Sequence, residues 1–120
     1  MKAFSLFEIS KRGYRMATSK EYADYVCECV FSYGDIRSRK MFGEYMVYAD
    51  NRPILLLCDN TVYVKITPET AALLGDAPRG IPYKKAKEHY VVDIEDRALA
   101  DELIPLLMAI TPIPKPKKKA

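Results

Sequence analysis

The stretch Arg39-Lys40-Met41-Phe42-Gly43-Glu44-Tyr45-Met46-Val47-Tyr48 decides the fold, because a glycine interrupts two runs rich in strand formers and further short apolar runs follow at once. Ile36 to Met41 reads as a first strand, and Gly43 marks a bulge or a close approach of backbones at its end. Glu44 to Ala49 is a second strand, Ile54 to Cys58 a third and Thr61 to Ile66 a fourth. The turn Asp50-Asn51-Arg52-Pro53 joins the second and third. Asp59-Asn60 joins the third and fourth, since both residue types tolerate the left-handed backbone of a type I′ turn. Strands this close in sequence form an antiparallel meander.

A two-residue turn centred on Asn51-Arg52 predicts Tyr48 opposite Leu55, Met46 opposite Leu57 and Val47 opposite Leu56. The Asp59-Asn60 turn predicts Leu57 opposite Val62 and Leu55 opposite Val64. One face then carries Met46, Tyr48, Leu55, Leu57, Val62 and Val64, and the other Tyr45, Val47, Ile54, Leu56, Cys58 and Tyr63. Both faces are apolar, and a loop one residue longer exchanges some members between them.

Upstream, Met16-Ala17-Thr18-Ser19 precedes a helical pattern. Thr18 with Glu21 fits a capping box, and the helix is expected to run to about Tyr33 and stop at Gly34, burying Tyr22, Val26, Cys29, Val30 and Tyr33. Downstream, Thr67 caps a short helix with Pro68 at its first position, reaching about Leu74. Gly75 to His89 is a long connection, of a length often associated with function. Tyr90 to Ile94 is a fifth strand. Glu95 to Ile110 is a final helix with Leu99, Leu103, Leu106, Leu107 and Ile110 inward and Pro105 as a kink. The expected fold is therefore α+β: two layers, an antiparallel sheet of about five strands with helices packed on it, in the order α-β-β-β-β-α-β-α. Residues 1–16 are expected to be a disordered extension, 17–111 the domain and 112–120 a disordered Pro/Lys-rich tail.

With 120 residues, 49% of them hydrophobic, the chain has enough for one globular core and too little for two domains. No apolar run approaches the roughly 18 residues of a membrane span, and Ala3 to Phe7 is too short for a signal peptide core, so a cytoplasmic protein without membrane contact is expected. Cys27, Cys29 and Cys58 lack the spacing of a disulfide framework or zinc site, and His89 is the sole histidine. No metal or cofactor is expected. The carboxylates have no paired histidine, Gly-rich phosphate loop or nucleophile elbow beside them, so no catalytic residues are assigned and an enzyme is not expected.

The formal net charge of +3 is unevenly placed. Residues 1–16 carry a net +3, with Lys2, Lys11, Arg12 and Arg15 against Glu8, and the tail adds Lys115, Lys117, Lys118 and Lys119, leaving the segment between at −4. A nucleic-acid-binding domain usually shows its basic footprint on the fold itself. Arg37, Arg39 and Lys40 form one internal cluster, and Lys84, Lys85 and Lys87 another. Each reads either as a solvated face or as a phosphate contact.

Arg39 with Met41-Phe42-Gly43, Tyr48 at the end of the next strand, Val62-Tyr63-Val64-Lys65 and the Pro82-Tyr83 pair resemble the signature of the TfoX N-terminal domain family. The resemblance covers about Thr18 to Ile110, with Glu44 standing where many members have a second glycine. It implies a two-layer α+β fold and a part in regulating competence for DNA uptake. Full-length members act as transcriptional co-activators and carry a further C-terminal domain, for which this chain has no room.

Two functional readings follow. In the first, the chain is a non-enzymatic regulatory or protein-interaction module. Its partner is another protein or a second copy, docked on the face carrying Tyr45, Val47, Ile54, Leu56 and Tyr63. In the second, it is a nucleic-acid-associated transcriptional regulator with weak contacts through Arg37, Arg39, Lys40, Lys115, Lys117, Lys118 and Lys119.

Overall fold

Six strands form one antiparallel sheet in the spatial order β1-β2-β3-β4-β6-β5. They are β1 (Ile36–Met41), β2 (Glu44–Ala49), β3 (Arg52–Cys58), β4 (Thr61–Lys65), β5 (Arg79–Gly80) and β6 (His89–Val92). Among the described residues three α-helices accompany them: α1 (Lys20–Cys29), α2 (Pro68–Leu74) and α3 (Arg97–Ile110), with a 3₁₀ turn at Phe31–Tyr33. The structure, a computed structural model, describes residues 18–41 and 43–114. The expectations for residues 1–16 and for the lysine tail lie outside the described residues.

The fold is the two-layer α+β arrangement that the sequence predicts, with one added strand. The two-residue β5 forms inside the long connection, where Arg79 and Gly80 pair with Tyr90 and His89. It is too short to leave a periodic signal in the sequence.

Asp50 and Asn51 both adopt positive φ, 50° and 68°, as do Asp59 and Asn60 at 56° and 52°. The same dipeptide thus makes both tight turns, in the left-handed conformation that Asp and Asn tolerate. The first turn consequently closes on Ala49 and Arg52, one residue earlier than the expected Asn51-Arg52 turn. A register shift follows: Tyr48 pairs with Pro53, but Val47 pairs with Leu55, leaving Ile54 as the extra residue of a bulge. Proline, with no N–H for the ladder, belongs at such an irregularity. The net effect corrects the expected β2–β3 pairing, because Tyr45 now faces Leu57 and Met46 faces Leu56. The β3–β4 pairing of Leu57 with Val62 is as expected.

One sheet face therefore carries Tyr45, Val47, Leu55, Leu57, Val62, Val64, Tyr90 and Val92, all buried in one cluster with Ala23, Val26 and Val30 of α1 and Ala100, Leu103, Ile104 and Leu107 of α3. α2 adds Leu73 and Leu74 at the margin of this core. Burying a Leu or Val side chain contributes about 1.5–3 kcal/mol, so this aliphatic layer is the main source of stability. Leu56 and Cys58 are also buried but lie outside that cluster, on the opposite face.

The caps differ in instructive ways. Ser19, not Thr18, caps α1 by accepting from the Tyr22 N–H. Thr18 instead acts at long range. Its N–H donates to the Gly43 carbonyl at 3.0 Å, its hydroxyl donates to the Leu57 carbonyl at 3.2 Å, and the Asn60 N–H donates to that hydroxyl at 3.2 Å. The α helix then gives way after Cys29 to the 3₁₀ turn, short of the expected Tyr33. Gly34 sits in a tight place, since a Cβ there would stand 3.0 Å from Asp50 Oδ1 and 3.1 Å from Met108 Cε, so a larger residue would need those side-chain ends to shift. Thr67 caps α2 as predicted, in a reciprocal box with Thr70. α3 begins at Arg97 behind the N-cap Asp96, and Pro105 sits on its exposed side with the helix assigned through it.

Candidate binding surface

Antiparallel pairing puts every second strand residue on the face away from the core. On that face lie Arg37 and Arg39 of β1, Met46 and Tyr48 of β2, Leu56 of β3, Tyr63 and Lys65 of β4, and Val91 and His89 of β6. Among the described residues no helix lies across its centre, since the helices pack into the cluster on the other side. Met46, Tyr48, Tyr63 and Val91 are partly exposed, while Leu56 between them is 8% exposed.

The face is electrically polar along the strands. At the end where β1 begins and β4 finishes lie Arg37, Lys65 and His89, whereas the opposite end carries Glu44 and the exposed Asp93. Arg37 is held over the Tyr48 ring, 4.8 Å from its centroid, and donates to Asn51 Oδ1 at 3.1 Å. Such a stacked cation is worth about 0.5–1 kcal/mol at an exposed site.

At the cationic end the surface deepens into a cleft of about 610 Å³. Met46, Leu56 and Tyr63 of the sheet face form its floor beside Lys65 and His89, and Ile54, Ile110, Pro112 and Pro114 line it together with Tyr83 and Lys87 of the long connection. The long connection reaches the cleft because Pro82 is fully buried and anchors it, while a turn donates the Ala86 N–H to the Tyr83 carbonyl at 2.9 Å. The His89 ring contacts the Lys87 carbonyl through Nδ1 at 2.8 Å and meets the Tyr63 ring edge-on at 6.4 Å. Lys85 adopts φ 72°, a conformation that costs a non-glycine residue about 1–2 kcal/mol. Arg52 fixes the segment after α3 by donating to the Thr111 carbonyl at 2.6 Å.

The five residues predicted to share a docking face do not share one. Tyr45 and Val47 enter the helix-covered core, Ile54 is buried at the bulge, and Leu56 and Tyr63 lie on the open face. The cause is the bulge, which moves β2 by one residue relative to β3 and so inverts its faces. The basic cluster also divides: Arg37 and Arg39 point to the open face, while Lys40, opposite the core residue Tyr45, falls on the other. Lys115, Lys117, Lys118 and Lys119 lie outside the described residues. Met46, Lys65, Tyr83, Lys87 and Ile110 had no place in the predicted site. Lys65 and Tyr83 stood in the motifs quoted above, and Lys87 in the second basic cluster.

The strongest pKa perturbations lie elsewhere, at the seam of α1 and α3. Burial, reinforced by Glu95, pushes the Tyr22 phenol up to about 12. Hydrogen bonds to carboxylates raise Tyr25, through Glu95, and Tyr33, through Asp101. Arg97 closes this seam by donating to the Cys29 carbonyl at 3.0 Å and lying over the Tyr33 ring. Burial also raises the Cys27 and Cys29 thiols, which keeps them protonated and poorly nucleophilic. Cys27 and Cys29 form no disulfide, and no group of metal-ligating side chains occurs among the described residues. No helix among them is long and apolar enough to cross a membrane.

A six-stranded antiparallel sheet with its helices on one face defines a two-layer α+β protein whose second face is covered by no described helix and is flanked by the long connection and the segment after α3. The chain belongs to the TfoX N-terminal domain family, which it matches over residues 28–103. It is also 33% identical over 105 residues to an uncharacterized 12.7 kDa protein in the trpE 5′ region of Spirochaeta aurantia, a match covering 86% of this chain and 91% of that protein. The matched region holds every described strand and the first half of α3, and so contains the open face.

Proposed function

We propose that the chain is a non-enzymatic, cytoplasmic regulatory module that acts by docking, and that its open sheet face pairs with a second copy. The resemblance to competence regulators supplies the setting, control of DNA uptake through protein contacts. The observation that carries the reading is the open face itself. It is an apolar stripe of Met46, Tyr48, Leu56, Tyr63 and Val91, with cations at one end and Glu44 and Asp93 at the other. A two-fold axis lying between two such faces, perpendicular to the strands, lays each cationic end over the partner's acidic end. Tyr and Met suit such a surface, since one tolerates both water and contact and the other repacks easily.

Sedimentation velocity tests this. The wild-type chain is expected to dimerise by about 100 μM, a weak interface on the usual scale of affinities. Leu56→Lys should leave a folded monomer, with Met46→Lys as the second variant should the first not fold. A wild-type chain that stays monomeric at about 1 mM refutes the pairing.

A second reading has its own observation: Arg37, Arg39 and Lys65 share the open face with the Tyr48 and Tyr63 rings. Cations among aromatic rings are how single-stranded nucleic acids are held without sequence preference. Three such contacts predict a slope of about −2 in the logarithm of affinity against the logarithm of salt. A flat salt response, or no binding of a single-stranded oligonucleotide at low salt, removes this reading.

A further inference from the structure

The cleft at the cationic end shares Met46, Leu56, Tyr63 and Lys65 with the docking face, and adds Ile54, Ile110, Tyr83 and Lys87 from outside it. Its volume of about 610 Å³ falls within the roughly 300–1,000 Å³ of small-molecule sites. The floor and one flank are apolar, from Met46, Leu56, Ile54 and Ile110, and two ammonium groups, Lys65 and Lys87, stand at the rim. None of the described lining residues is acidic, and neither lysine forms a salt bridge with a described carboxylate. The rim is also braced: His89 holds the Lys87 backbone, and its ring packs edge-on against Tyr63. Uncompensated positive charge beside a low-dielectric floor favours a ligand that presents an anion and an apolar body together. A neutral apolar molecule would gain nothing from the two exposed ammonium groups, and a small inorganic anion would leave the floor wet.

We propose that this cleft binds a small amphiphilic carboxylate. Its aliphatic or aromatic body lies on Met46, Leu56 and Ile110, and its carboxylate sits between Lys65 and Lys87. Recognition needs the cleft alone, so it stands or falls separately from the pairing of two copies.

The test is a titration of the isotope-labelled full chain with octanoate, followed by amide chemical shifts, at a protein concentration where sedimentation reports monomer. Expected are saturable shifts centred on Met46, Leu56, Tyr63 and Ile110, with a Kd below about 1 mM, in keeping with a ligand of this size. Octan-1-ol, with the same body and no charge, should bind at least about fivefold more weakly, and Lys65→Glu with Lys87→Glu at least about tenfold more weakly than wild type. Lys84→Glu, a matched charge change at an exposed residue outside the lining, should bind octanoate as wild type does. The proposal is overturned by shifts that do not saturate or that map away from the cleft. It is equally overturned if octan-1-ol matches octanoate, or if Lys84→Glu weakens binding as much as the rim variants do.

Discussion

The two faces of one sheet are built from alternate residues of the same strands, yet they differ in kind. Leu55 and Leu57 point into the helix-covered layer at 1% and 0% exposure, while Leu56 between them joins Met46 and Tyr63 on the open side. Val62 and Val64 behave like the flanking leucines, and Tyr63 between them does not. The covered face uses branched aliphatic side chains that fill space in few rotamers. The open face uses Met and Tyr, with Arg, Lys and His at its cationic end. Apolarity alone therefore does not mark a core. The covered face nevertheless holds Tyr45 and Tyr90 and the open face Leu56 and Val91, so the contrast is one of overall composition and not a rule for single residues.

The largest expected effect separates the faces directly. Leu55→Ala should cost about 2–5 kcal/mol in urea denaturation, as large-to-small changes in packed cores do, while Leu56→Ala in dilute protein should cost less than half of that. Equal losses at the two positions would mean that the second face is also packed core.

Alkaline pH should act on the covered side through Tyr22. Its folded pKa, pushed up to about 12 chiefly by burial, lies above the unfolded value near 10, so the folded state holds its proton longer. Its contribution is intact below about pH 10 and lost as pH rises towards about 12, at most about 2 kcal/mol after allowing for partial exposure. In Tyr22→Phe the urea midpoint should fall less steeply across that window. Identical slopes for wild type and variant would contradict the assignment.

A smaller effect concerns the latch that ties the start of α1 to the sheet. Thr18→Val keeps the shape but removes the hydroxyl shared by the Leu57 carbonyl and the Asn60 N–H. The expected loss is about 1–2 kcal/mol, with faster amide exchange at Asn60. A change within about 0.5 kcal/mol, the usual range for surface substitutions, would show that the buried hydroxyl's two hydrogen bonds contribute little to the fold.

Much of the fold is legible in local chemistry. Thr67 followed by Pro68 marks the start of α2, and runs of strand-forming residues between turn signals mark five of the six strands. Asp59-Asn60 marks a left-handed turn. Applied to Asp50-Asn51, the same turn rule centres the first hairpin correctly. Centring it on Asn51-Arg52 moves the β2–β3 pairing by two residues and leaves the faces unchanged, so it is the bulge at Ile54 that inverts β2. Two of the five proposed docking residues, Tyr45 and Val47, are misplaced for that reason.

By itself the sequence determined the α+β class, the positions of the helices and the existence of a sheet apolar on both sides, because each follows from propensities and periods acting over a few residues. Only the tertiary structure decided which side the helices cover. That depends on a bulge at Ile54 shifting one strand against another, and a one-residue slip leaves composition unchanged while exchanging every side chain between faces. Tertiary structure also decided that Lys65 and Lys87, more than twenty residues apart in sequence, stand over one cleft. The cause is non-local: β6 closes against β4, bringing the end of the long connection to a strand that it follows by a whole helix.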